Sequence, residues 1–412
     1  MISDPIIVPT PLGYNFLWGG DNDDDFSAKA VITRINDSSR GLLAEIEIWS
    51  SFMTDYPLLS GIRFNMTSER ARTGLAKRLY SLYQKIDWQN VVEKICLGVI
   101  ELSRQGEPVQ ELTSNDDIAP LDYLIAPIIP KGKPTAIFGD PGSGKSTLLL
   151  ILAIVACLPW WDNPLHLIAP AVPSPILYLD YEADADDLRR QLKSFTDGHE
   201  LGLTQLNYRR CSLPITEDLE AIHNYASAIK AKALFIDSTS LAAGGDLNRM
   251  DVATAYIRAL RQLKMTSVSV SHTSKERDAK TKTIIGSVLF EAGFRSVWEC
   301  RGQEDDKTLD IGLFHRKFNL GAKRNPLGYR ITYNGQSNTI EWFDPSNVPE
   351  FVARMSHTKQ ILELLKRGGF ETRQIAEELD ISLAAASMAL SRLAKKDQVI
   401  KNDKMWGLLY KE

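Results

Sequence analysis

Cysteine is scarce in this 412-residue chain: Cys96, Cys157, Cys211 and Cys300 lie far apart and form no C-x-x-C pair. That spacing argues against a disulfide framework and a cysteine zinc site, and a reducing cytoplasm is the expected setting. Long apolar runs are lacking too. The longest, residues 148–158, is too short to span a bilayer, so no membrane association is expected. The first residues lack the charged-then-apolar layout of a secretion signal, and no leader is expected. Neither charge dominates. A net charge of −4 argues against a uniformly basic nucleic-acid coat, while leaving room for a local basic channel built from a few side chains per subunit. There is no internal repeat. The one low-complexity tract, the acidic residues 21–25, reads as a solvated loop rather than a metal site.

What is present is organised around residues 137–147, I-F-G-D-P-G-S-G-K-S-T. Gly139 to Ser146 fit G-x-x-x-x-G-K-[ST], a phosphate-binding loop. Gly139, Gly142 and Gly144 let the backbone wrap closely round a phosphate chain. The amide groups of Asp140, Pro141's neighbours and Ser143 then turn inward, and the following helix adds its positive end. Lys145 is placed to reach the β- and γ-phosphates, Ser146 to bind Mg²⁺, and Thr147 to touch the α-phosphate side. The context agrees: residues 135–138 form a short apolar strand and 148–158 an apolar helix. ATP and Mg²⁺ are the expected ligands. The competing reading is a glycine turn before a buried helix, with Lys145 a solvated charge.

The length suits two to four domains. Residues 1–115 read as a small α+β domain: 1–25 loosely ordered around Pro5, Pro9 and Pro11, then strands at 28–35, 42–52 and 61–66 and helices at 68–83 and from 88. The 68–83 helix places Leu75, Leu79 and Leu82 on one face, and Asp87 caps the next helix. Nothing in this domain has catalytic spacing, so it is expected to bind a partner, a subunit or nucleic acid. Residues 116–347 alternate strands and helices, which predicts a mostly parallel sheet with helices on both faces. Residues 356–412 read as three helices and a hairpin, a winged helix-turn-helix.

Several carboxylates and cations stand where chemistry would need them. Asp237 ends the apolar strand 233–237, where an acid orders Mg²⁺, usually through water. Glu182 follows the first strand after the phosphate loop, and a carboxylate on that rim can polarise an attacking water. The alternatives are an acid offsetting a helix dipole with Asp184, or Asp180 in its place. His272 is expected just past the strand 266–270, where a γ-phosphate sensor, a channel-loop residue and a plain polar terminus all fit. Arg316 and Lys317 are expected to follow the strand 308–314, as cations reaching a neighbouring subunit's γ-phosphate or as a solvated basic edge with Lys323 and Arg324. Which of the four acts is open. In the C-terminal segment the helix 382–396 begins with Ala384, Ala385, Ala386 and Ser387, and its cations come late. Sequence-specific readers present base-reading side chains near the helix start. DNA contact and protein docking therefore both fit.

Taken together, G-D-P-G-S-G-K-S-T, Y-L-D-Y-E, L-F-I-D-S, V-S-H-T-S-K and H-R-K-F-N resemble the RecA-like ATPases of the RepA type, plasmid and phage helicase cores of the AAA-type domain family related to DnaB. The resemblance covers about residues 120–345. It implies Lys145 and Ser146 for phosphate and Mg²⁺, Glu182 for water activation, Asp237 for the metal, His272 as sensor, and basic residues near Arg316 and Lys317 acting in trans. It also implies a ring, typically a hexamer, that moves on single-stranded DNA, with 238–248 and 273–283 as central loops. The N- and C-terminal domains are additions to the minimal core. The expectation is thus an oligomeric ATPase acting on DNA. The alternatives are an ATP-switched regulator or loader, and a defence or signalling ATPase whose end domains bind protein.

Overall fold

The computed structural model describes residues 4–19, 27–38, 41–51, 55–105, 109–113, 120–202, 205–274, 283–352 and 357–409. The acidic tract 21–25 and residues 275–282 lie outside these residues. Chain contacts separate two compact units, Met1–Pro120 with Leu213–Ile229 and Ala255–Met265, and Leu121–Ser212 with Lys230–Thr254 and Thr266–Glu412.

The first unit opens with β1 (Ile6–Thr10) and β2 (Gly13–Trp18), followed by β3 (Ala28–Ser38), β4 (Gly41–Ser50) and β5 (Leu59–Asn65) in an antiparallel sheet of that order. The expected loose N-terminus is therefore a hairpin. Phe16 and Trp18 bury their rings, and Pro9 sits on the edge strand, where a missing N–H costs little. β4 follows its pattern closely, with Leu42, Ala44, Ile46 and Ile48 buried and Glu45 and Glu47 outward. Helices α1 (Glu69–Leu82), capped by Ser68, and α2 (Trp88–Gln105) complete this core. Leu75 and Leu79 are buried as expected, whereas Leu82 is exposed.

In the second unit a two-stranded ribbon, β6 (Tyr123–Ile125) and β7 (Ile129–Pro130), leads into β8 (Pro134–Gly139) and α3 (Lys145–Cys157). There follow β9 (Ile176–Asp180), α4 (Ala185–Gly198), β10 (Asn207–Arg210), α5 (Leu219–Ala228), β11 (Ala233–Asp237), α6 (Thr239–Ala242), α7 (Met250–Gln262), β12 (Thr266–His272) and α8 (Val288–Gly293), of which α5 and the 255–262 part of α7 count with the first unit. The series ends in β13 (Ser296–Asp305), β14 (Thr308–Phe318), β15 (Leu327–Thr332), β16 (Thr339–Phe343) and the single turn α9 (Pro349–Val352). Nine strands form one sheet in the order β10-β9-β11-β12-β8-β13-β14-β15-β16. The first six run parallel and the last three add antiparallel. The fold is α/β with a mostly parallel sheet, as the alternating pattern predicted. α3 is apolar all round and buried from Leu148 to Ala156, against residues of β8, β12 and the antiparallel strands. Each such Leu or Ile withdrawn from water contributes about 2 kcal/mol.

Three local expectations change. β12 runs through His272, so the histidine ends the strand rather than following it. β14 runs through Phe318, which places Arg316 and Lys317 inside a strand. Residues 328–343 read as a hairpin turning at Asn334-Gly335; β15 and β16 do pair antiparallel, but their connection takes six residues, 333–338, with Gly335 at φ 71.

The remaining segment holds α10 (His357–Leu365), β17 (Phe370–Glu371), α11 (Thr372–Glu378), α12 (Leu383–Ala394), β18 (Val399–Asn402) and β19 (Met405–Leu408), with strands ordered β17-β19-β18. Ile361, Leu365, Ile375, Leu390 and Leu393 fill its core. The short β17 ahead of the second helix was not expected, because two residues carry no periodicity.

Candidate functional site

The carboxyl ends of β8, β9, β11, β12 and β13 lie along one rim, since all five strands run parallel. The phosphate loop leaves β8 there. A Cβ on Gly139 would stand 2.1 Å from the carbonyl oxygen of Cys300 on β13, so only glycine lets the two strands close. Gly142 and Gly144 have φ of 76° and 81°, the left-handed region that glycine enters without strain. Gly144 sits at the N-cap of α3, so the free amides of the first helical turn open on the loop. Asp140, Pro141, Gly142, Ser146 and Thr147 stay at least partly open to solvent. Ser143 is buried and its Oγ has no hydrogen-bond partner among the described residues. Lys145 is buried, and its Nζ donates to the Asp140 carbonyl at 2.6 Å. Burial lowers the Lys145 pKa, against the opposing pull of Cys300, Asp237, Asp140 and Glu182.

Asp237 ends β11 and is buried, with Oδ2 accepting from the Tyr178 hydroxyl at 3.2 Å. Burial raises its pKa to about 6, although hydrogen bonds from Ser146 and Tyr178 pull it down. Its Oδ1 is buried without a hydrogen-bond partner among the described residues. An orphaned carboxylate oxygen beside the Ser146 hydroxyl fits a Mg²⁺ ion, which takes one or two protein oxygens and completes its shell from water and phosphate. No group of three His, Cys, Asp or Glu suited to a metal occurs among the described residues.

Glu182 reaches this rim from a strand that is not beside β8: β11 and β12 stand between β9 and β8. The two strands share the rim without being neighbours. The Tyr181 amide donates to the Asp237 carbonyl at 2.6 Å, which ties the two strand ends together. Glu182 Oε1 accepts from the Ser238 hydroxyl and lies 3.7 Å from His272 Nε2. The helix-capping alternative falls to Asp184, whose carboxylate accepts from the amides of Asp186 and Asp187. Asp180, the competitor for the water-activating place, is buried and instead accepts from the amides of Glu182 and Ala183 and from the Tyr208 hydroxyl.

His272 stands level with Gly139, with its Nδ1 buried and without a hydrogen-bond partner among the described residues. The next residue makes the direct link: Thr273 Oγ1 donates to Asp140 Oδ1 at 2.6 Å. Thr273 also bridges to Ile284, and Ser274 N donates to the Thr283 carbonyl at 2.9 Å.

Arg316 and Lys317 are not free cations. The Arg316 guanidinium pairs with Glu299, which Arg301 also holds and which is 1% exposed. Lys317 Nζ donates to the Glu291 carbonyl at 2.8 Å, and burial lowers its pKa. Arg324 donates to the Tyr123 hydroxyl at 3.0 Å, whereas Lys323 is exposed and makes no ion pair or hydrogen bond among the described residues.

Three further residues touch the site without a hydrolytic role read from the sequence: Tyr178, and Ser238 and Thr273, which the resemblance placed only in the loops 238–248 and 273–283. Ser238 and Thr273 directly follow residues that were singled out, so adjacency to a strand-end acid or histidine was the available signal. Tyr178 had none, since an aromatic in a buried strand is ordinary core.

Among the described residues no helix is long and apolar enough to cross a membrane. No curated protein matches the sequence. The solved structure of a KaiC-like protein from the hyperthermophilic archaeon Pyrococcus horikoshii is similar over 57% of this chain and 100% of its own, at 20% identity and a TM-score of 0.37. Residues 101–278, less than half of the chain but including the phosphate loop, Glu182, Asp237 and His272, match the family model described as an AAA domain.

Proposed function

We propose that the protein hydrolyses ATP with a RecA-like core of the RepA type, works as a homo-oligomer, a ring hexamer by resemblance, and acts on single-stranded DNA. The observation that carries the hydrolytic reading is the meeting of Lys145, Ser146, Asp237 and Glu182 on one sheet rim beside a glycine-built anion loop. Lys145 and the loop amides bind the phosphates. Ser146 and Asp237 would hold Mg²⁺, which would supply charge neutralisation on the phosphate oxygens. Glu182 orients a water and takes its proton. His272 and Thr273 sit between this site and the segment after β12, the region assigned to DNA by resemblance. With Arg316, Lys317 and Arg324 engaged inside their own chain, the cation acting in trans is assigned to Lys323. The N-terminal unit and a C-terminal winged helix-turn-helix are assigned to partners or DNA.

A second reading, an ATP-switched loader or adaptor without unwinding, draws on α12. The exposed leading face of that helix is Leu383, Ala384, Ser387 and Met388, which offers no base-reading donor or acceptor of length. The ATPase rate with and without single-stranded DNA, followed by strand displacement on a tailed duplex, separates the readings. Stimulation with unwinding supports the motor. Stimulation without unwinding supports the loader, and indifference to DNA in both assays removes DNA from the account.

A further inference from the structure

We infer that Ser238 is a positioning residue for hydrolysis, its hydroxyl holding the Glu182 carboxylate in place at the rim. This rests on the reading of Glu182 as the residue that orients water. The two residues come from different strand ends: Glu182 follows β9 and Ser238 follows β11. Their backbones are already pinned. Tyr181 N donates to the Asp237 carbonyl at 2.6 Å, and Glu182 N donates to Asp180 Oδ1 at 2.9 Å.

The side chain is another matter. The Glu182 side chain is 40% exposed, and a glutamate that open samples several rotamers unless something holds it. Among the described residues the Glu182 carboxylate accepts its hydrogen bond from Ser238, which is wholly buried and so has little freedom of its own. A fixed donor on a mobile acceptor selects one carboxylate orientation. The bond occupies Oε1, which also faces His272 Nε2 at 3.7 Å, and leaves Oε2 to accept a proton from water. Because Ser238 directly follows Asp237, the same strand end sets both the metal-facing acid and the orientation of the base. A purely structural Ser238 would use Glu182 only to satisfy its own buried hydroxyl, and turnover would not depend on the bond.

The test uses the full chain with Ser238→Ala, Glu182→Gln and the double variant. The probes are steady-state ATP hydrolysis, binding of a fluorescent ADP analogue with Mg²⁺, and thermal unfolding. Positioning predicts that S238A lowers kcat by roughly 10- to 100-fold while analogue affinity stays within about twofold. Added to E182Q, it lowers the residual rate no further, since the group it positions is gone. An S238A enzyme with kcat within about twofold of the parent overturns the inference. So does a parallel loss of analogue affinity, or a further loss on top of E182Q. E182Q hydrolysing at the parental rate overturns the reading of Glu182 itself, whereas an inert E182Q beside a fully active S238A removes only the role of Ser238.

Discussion

Asp237 ends β11 with its carboxylate buried between Ser146 and Tyr178, and its pKa is raised to about 6 from the ordinary 3.8. The folded chain therefore keeps a proton that the unfolded chain releases, and stability falls as pH rises from about 4 through 6. The cost is fully present above about pH 6 and is on the order of 3 kcal/mol. A cation at the orphaned Oδ1 offsets it, so binding of Mg²⁺ with nucleotide should weaken as pH falls through about 6. Titration of a fluorescent nucleotide with Mg²⁺ between pH 5 and 8 checks this, and Asp237→Asn should abolish both the pH dependence and the Mg²⁺ dependence. The Tyr178 hydroxyl holds the carboxylate pKa down, so Tyr178→Phe should move the same midpoint upward. A midpoint unmoved in Y178F would separate Tyr178 from the site.

At the scale of elements, β13 and β14 decide what Arg316 can do. Glu299 is buried between Arg301 and Arg316, and removing one partner of a buried ion pair commonly costs about 3–5 kcal/mol. Arg316→Ala should accordingly lower the thermal midpoint, and Glu299→Gln should do the same. A free finger predicts otherwise: unchanged stability with turnover lost. The phosphate loop is a second case. Gly139→Ala drives a Cβ to 2.1 Å from the Cys300 carbonyl, so it should part β8 from β13 and abolish nucleotide binding, read by the same fluorescent probe.

These elements also show where sequence was legible. The loop, α3 and Asp237 were readable because their patterns are local: glycine spacing, an all-apolar helix, an apolar strand ending in acid. β14 was cut short because F-H-R-K-F-N looks polar, yet His315 stacks on Trp298 at 4.0 Å and Arg316 is neutralised by Glu299, both on the neighbouring strand. Such satisfaction is tertiary and leaves no local trace. β1 was lost to its prolines, which an edge strand tolerates. The insertion of β11 and β12 between β9 and β8 is a crossover order that no periodicity encodes.

For the whole molecule, the proposal of a shared site makes a demand on subunits. If Lys323 reaches a neighbour, Lys323→Ala and Glu182→Gln proteins, each nearly inactive alone, should regain hydrolysis when mixed, because some interfaces then carry an intact pair. Absence of recovery in mixed oligomers, verified by light scattering, would place the whole reaction inside one chain. The central claim, that the phosphate loop and the β9–β11–β12 rim form a hydrolytic site, is tested most directly by Glu182→Gln. Steady-state ATP hydrolysis and nucleotide affinity are measured on the same preparation. Affinity should stay within about twofold of the parent while turnover falls by roughly 100-fold or more. Hydrolysis at the parental rate with intact binding would contradict it.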